Sequence, residues 1–200
     1  MSRSLKFSFF LLLLFSAPVI INCDYILSLW LKEPPQYTSD FCRLVLLQSL
    51  IESMCYPMWT VIGAIGKLRF SHLVASILYL LIVLVSYFVL KMGGNPHSVF
   101  VISIIFMVFV MTMLIFRINY LVNGYLSILF KQLVIKPTFV IIPMFIFYFI
   151  LEKIYINNTL LTLLVSSVLI MLFQLIILFV AGLDKSERRT SINFIKAKLR

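Results

Sequence analysis

The chain is 200 residues long, 62% hydrophobic and only 12% charged, with a mean hydropathy of +1.11, which excludes a soluble globular domain and identifies an integral membrane protein. Its formal charge of +10 does not imply nucleic acid, because no soluble basic domain is present to carry such binding.

Apolar runs bounded by charge or turn signals predict an all-α polytopic bundle of six transmembrane helices over residues 1–183, then a basic cytoplasmic amphipathic tail over 184–200. The first span covers Phe7 to Trp30, with Pro18 as a kink and Asp24 as an embedded acid. Arg3 and Lys6 before Phe7–Phe15 imitate a signal peptide, but Ile21-Asn22 before Cys23 and Pro18 after Ser16-Ala17 are poor cleavage contexts. Lys32-Glu33-Pro34-Pro35 stops that span, and Thr38 or Ser39 is expected to N-cap the next.

The second span, Thr38 to Gly66, is the informative one. It is roughly 43 Å long at ~1.5 Å per residue. Asp40, Arg43, Gln48 and Glu52 are embedded in its first half. Each charge in a span costs about 2.5–3.5 kcal/mol on insertion scales, so such groups normally face a bundle interior or a watery cavity. At ~100° per residue Gln48, Glu52, Trp59, Gly63 and Gly66 lie within about 40° of one line, with Arg43 opposite. Pro57 removes a hydrogen bond to the Ser53 carbonyl and is expected to kink the helix beside Glu52, a way to build a cation or proton site. Asp40 reads as an N-terminal residue satisfied by the helix dipole and by Arg43 at i+3. Arg43 either binds a phosphate or acidic sugar or only pairs with a carboxylate.

A turn at Lys67–Ser71 leads to the third span, His72–Leu90; Lys91 to Pro96 is a tight break; the fourth span covers Ser98–Phe116, reaching toward Leu121. The fifth covers Lys136–Leu151 and the sixth Leu160–Leu183. Asn119–Gln132 suits an interfacial helix, and Ile192, Ile195 and Leu199 in the tail suit a surface-lying one.

Of the 17 Lys and Arg, 13 fall on one side of this arrangement: Arg3, Lys6, Lys67, Arg69, Arg117, Lys131, Lys136 and six in the tail. By the positive-inside rule both termini are cytoplasmic and the excess charge meets anionic membrane lipid. Arg117 reads as a snorkelling residue. His72 and His97 fall at opposite faces and are not expected to share a metal. Cys23, Cys42 and Cys55 lack metal or disulfide spacing and read as inert thiols. Asn157-Asn158-Thr159 matches a glycosylation sequon. No enzyme signature is present, and no cofactor or metal is expected.

Asp24–Leu31 (DYILSLWL), Pro34-Pro35-x-Tyr37-Thr38, Arg43-Leu44, Tyr56-Pro57 and Ala64-Ile65-Gly66-Lys67 together resemble the carboxyl-terminal half of bacterial polysaccharide flippases. These are the O-antigen and capsule transporters of the multidrug/oligosaccharidyl-lipid/polysaccharide superfamily. The resemblance implies the second of two six-helix lobes around a cavity in the bacterial inner membrane, the chain being either a truncated or split product or one that needs a partner to supply the first lobe. It implies an undecaprenyl-type lipid-linked oligosaccharide as substrate, moved by alternating access. Glu52, Gln48 and Asp24 are then expected at sugar hydroxyls or a coupling ion, and Arg43 at phosphate or acidic sugar. A drug exporter of related architecture, a non-functional remnant and a polyprenyl-phosphate enzyme are the alternatives.

Overall fold

A computed structural model describes residues 2–31, 33–122, 135–154 and 160–183. Their regular structure is all helical, with no strand among the described residues. Two compact units divide the chain, Met1–Leu133 and Val134–Arg200.

The first unit begins with α1 (Ser2–Ile21) and α2 (Cys23–Leu31). The single span expected over Phe7–Trp30 is therefore two helices, broken at Asn22 and not at Pro18, which lies inside α1. Asn22 is the cause: its backbone N–H and its side-chain amide both donate to the Pro18 carbonyl, at 3.1 and 3.0 Å. A side chain that competes for a helix carbonyl loosens the helix locally. Helix α2 restarts at once, with Asp24 in its first turn, where the helix dipole favours an acid.

Helix α3 (Thr38–Ala64) is 27 residues long and runs through Pro57 without interruption. Its N-cap is Tyr37, at φ 72°, in place of the expected Thr38 or Ser39. Thr38 instead turns back, with its N–H and Oγ1 both donating to the Pro35 carbonyl at 3.2 and 2.8 Å. The left-handed backbone of a bulky residue is costly. At Tyr37 it is held by ring contacts to His97 (4.6 Å between centroids) and Phe41 (6.4 Å).

Gly66, at φ 76°, lets the chain reverse after α3, and α4 (Leu68–Lys91) starts earlier than the predicted His72. Gly94 then allows a close approach: a Cβ there would sit 2.8 Å from the Val89 carbonyl oxygen. Helix α5 (Ser98–Leu121) completes the unit.

Helix α3 is the hub, packing on α1, α2 and α5, while α4 packs on α5. Burial follows helical stripes: Phe10, Leu13 and Ala17 on α1; Leu50, Met54, Met58 and Ile62 on α3; Met107, Val110, Leu114 and Ile118 on α5. The opposite surfaces stay apolar. On α4, Leu73, Ile77, Leu80, Val83 and Phe88 are all exposed, the arrangement expected where hydrocarbon is the solvent. Lys6, counted above among the flanking charges, is buried, with its ammonium 5.7 Å from the Phe7 ring centroid.

The second unit pairs α6 (Lys136–Ile154) with α7 (Leu160–Ile177), which continues as a π turn over Leu178–Gly182. Phe147 stacks on Phe173 with centroids 3.9 Å apart. Among the described residues five helices are long and apolar enough to cross a membrane: Ser4–Ile21, α3, α4, α5 and Leu160–Gly182. The expected fifth span is present as α6, but its apolar stretch from Pro137 to Leu151 is only about 22 Å long at ~1.5 Å per residue, against a core of roughly 30 Å. The interfacial segment beyond Val122, the sequon and the amphipathic tail lie outside the described residues.

Leu114 is 0% exposed and Leu80 is 64% exposed. Leu114→Ala is expected to lower stability by about 2–5 kcal/mol and Leu80→Ala by less than about 0.5 kcal/mol, read as the shift in an SDS unfolding titration of the micelle-bound chain.

Candidate functional site

The N-terminal end of α3 carries a linked set of charges. Arg43 lies one turn past Asp40, and its guanidinium reaches both ways: Nη2 to Asp24 Oδ2 of α2 at 2.5 Å, and Nη1 to Asp40 Oδ1 at 3.6 Å. Its Nε donates to the Ile20 carbonyl at 3.2 Å, one of the carbonyls left orphaned where α1 ends. Asp40 in turn meets His97 Nε2 at 3.4 Å, with His97 ringed by Tyr37, Phe41 and, beyond Phe41, Phe100. One side chain thus ties α1, α2 and α3 together, and its neighbour ties in the turn before α5. The Ser39 hydroxyl, and after it the Arg43 guanidinium, hold the Asp24 carboxyl below the usual carboxylate range against the opposing effect of burial. Arg43 thus donates two hydrogen bonds within the protein and has Asp40 as a further charge partner.

Glu52 lies nine residues further along α3, roughly 13 Å at ~1.5 Å per residue, and the structure does not bring it to Arg43. It is half-buried, and its Oε1 accepts from the Tyr56 hydroxyl at 3.2 Å. Tyr56 itself is 62% exposed. One turn on, Thr60 is exposed and donates to the Tyr56 carbonyl at 3.1 Å; one turn back, Ser49 donates to the Val45 carbonyl at 3.0 Å. Ser49, Glu52, Tyr56 and Thr60 recur at i, i+3, i+7 and i+11, a polar stripe along the middle of a membrane-length helix. It faces away from the stripe Leu50, Met54, Met58 and Ile62 that packs into the unit.

This is not the line drawn from the sequence. Gln48 is half-buried on the flank of the stripe, and Glu52 takes its hydrogen bond from Tyr56. Trp59 is committed to a flat stack on His72, with centroids 4.6 Å apart and planes 11° from parallel. A Cβ on Gly63 would meet Leu68 at 3.8 Å. Sequence reasoning missed Ser49, Tyr56 and Thr60, whose hydroxyls at helical spacing around Glu52 were the available signal. It also missed His97 as the partner of Asp40. Pro57 sits beside the stripe, and the Ser53 hydroxyl, on the buried side, donates to the Leu50 carbonyl at 2.7 Å. Pro18 lies buried in α1, remote from the stripe in sequence.

At the other end of α3, Arg117 lies with its guanidinium 4.9 Å from the Phe70 ring centroid and 5.7 Å from that of Tyr120. The stack places a cation against two aromatic rings at the end of α5. His97 contacts residues 37–41 and His72 contacts residue 59, so the two histidines sit at opposite ends of α3. Among the described residues no group of three or more His, Cys, Asp and Glu is arranged to hold a metal.

Because the folded-state carboxyl of Asp24 is held down, the stability it contributes is present above its ordinary value of 3.8 and is lost as pH falls below it. A double-mutant cycle with Asp24→Asn and Arg43→Gln is expected to give a coupling of about 1 kcal/mol or less at neutral pH, the pair being partly exposed. The coupling is expected to vanish at pH well below 3.8. Comparison with family models, with curated proteins and with solved structures returns no match for this chain.

Proposed function

We propose that the chain is one lobe of a transporter that moves lipid-linked oligosaccharide repeat units across the bacterial inner membrane by alternating access. The observation that carries this reading is Glu52: a carboxylate near the middle of a membrane-length helix, on the face turned away from the unit's own packing. An acid placed there needs water, a cation or a proton donor. A stripe of hydroxyls above and below it suits a hydrated path for a sugar, and the apolar surfaces of α4 suit the bilayer in which the lipid tail stays.

In this reading the first lobe, from another chain, covers the stripe and completes the cavity. Glu52 and Tyr56 meet sugar hydroxyls or a coupling ion, and Gln48 lies at the margin. Arg43 and Asp24 act one step removed, fixing where α1 and α2 meet α3. The termini face the cytoplasm, as the distribution of Lys and Arg implies. No covalent chemistry is assigned to the chain.

Two measurements test the reading. Ser49→Cys and Thr60→Cys in the membrane-embedded chain are expected to react with a small charged thiol reagent, and Val83→Cys on α4 to stay unreactive. Equal inertness of all three would place the stripe against lipid and sink the idea of a hydrated path. Secondly, in cells lacking their own polysaccharide flippase, the chain with a polypeptide supplying the other lobe is expected to restore surface glycan. Glu52→Gln should then reduce export about tenfold or more, equivalent to roughly 1.4 kcal/mol in the transport barrier. Absence of glycan despite insertion of both chains overturns the assignment.

A further inference from the structure

The three cysteines read from the sequence as unrelated, inert thiols. Folding brings two of them together. Cys23 opens α2 and is 1% exposed, and its Sγ donates to the Ser39 carbonyl of α3 at 3.6 Å. Cys42 stands one turn beyond Ser39 on the same helix and is half-buried, so the Cys23 thiol, bonded to the Ser39 carbonyl, lies within a turn of the Cys42 position. The next residue on each helix, Asp24 and Arg43, forms the ion pair that clamps α2 to α3. The two cysteine positions are therefore held side by side by polar ties between α2 and α3, the Cys23 bond to Ser39 and the Asp24–Arg43 ion pair. Both thiols are free, as is Cys55, which is buried thirteen residues further along α3.

We propose that Cys23 and Cys42 form a redox-modification site, a dithiol that closes to an intramolecular disulfide joining α2 to α3. The oxidant is a disulfide, either the active-site disulfide of a dithiol oxidase or a small disulfide. Cys42, the more accessible thiol, attacks as its thiolate; one sulfur–sulfur bond forms to Cys42 and one thiolate leaves. The Cys23 sulfur then attacks the Cys42 sulfur, and the second thiolate departs with the Cys23 proton. Two electrons have passed to the oxidant, which ends as two thiols. Burial, and next the adjoining Cys42 thiol, push the Cys23 thiol up to about 12, so closure is slower than capture. The bond converts a salt-screened tie between the two helices into a covalent one. That an oxidant meets this end of α3 in the cell rests on the topology given above, which turns it away from the cytoplasm.

The test uses the wild-type chain in detergent micelles. Diamide, an azo oxidant that leaves as its hydrazine, is added, and the chain is then denatured and alkylated with a maleimide. Alkylatable thiols are expected to fall from the three of the sequence to one. The unalkylated mass should fall by about 2 Da, the two hydrogens lost in forming the disulfide. A non-reducing peptide map should show the Cys23 and Cys42 peptides joined. Three remaining thiols, a link to Cys55 or a link between two chains would overturn the proposal. Cys42→Ser is expected to retain both of its thiols under the same treatment. In intact cells, oxidised glutathione, which does not cross the membrane, is expected to close the pair from outside. Closure by diamide in micelles but not by external glutathione leaves the dithiol standing and overturns the topology on which its cellular role rests.

Discussion

Carrying charge into hydrocarbon is what shapes this fold. A bilayer offers no hydrogen bonds, so every charged group on α3 must find a partner within the protein, reach an interface or meet water. The helix uses two of these solutions at different depths. Near its N-terminus Arg43 pairs with both Asp40 and Asp24, and its Nε donates to the free end of α1. At mid-helix the partner of Glu52 is a neutral hydroxyl, which binds the carboxylate without cancelling its charge.

The ion-paired end explains how α1 and α2 meet α3. A break at Asn22 exposes carbonyls at the end of α1, and the guanidinium arriving from α3 takes up the one at Ile20. The break and Arg43 are thus two halves of one arrangement: without the cation the ended helix would leave a carbonyl to desolvation, and without the break Asp24 would continue the apolar run of α1. The same guanidinium carries three protein contacts, two of them to carboxylates that already offset its charge. Its location beside α2 favours a structural tie over a ligand site.

The spans were legible because each is a continuous apolar run between charges, and α5, α7 and the π turn after it end within a residue or two of where composition places them. Three features were not. The break in the first span lies where the Asn22 side-chain amide joins its own backbone N–H on the Pro18 carbonyl, a local bond that hydropathy does not register. The left-handed Tyr37 depends on aromatic contacts with His97, sixty residues away in the chain. The angular line drawn through Glu52 included Trp59 and Gly63 because polarity and small size were treated alike; Trp59 is spent on stacking with His72, while the hydroxyl-bearing neighbours of Glu52 define the uncovered face. Each miss concerns which partner a side chain finds, and partners distant in sequence are invisible to spacing rules.

The hydroxyls of that face do not by themselves require water. Ser49 and Thr60 each donate to a carbonyl four residues back, which hides their polarity within the helix and makes them tolerable against lipid. Tyr56 spends its proton on Glu52. What is left is the carboxylate, whose charge no cation of this stripe offsets. On insertion scales that charge costs about 2.5–3.5 kcal/mol at the centre of a span, more than a few internally bonded hydroxyls do. The case for a hydrated surface completed by another lobe therefore reduces to one residue: with Glu52 replaced by an amide, the same stripe would be an ordinary lipid-facing helix surface.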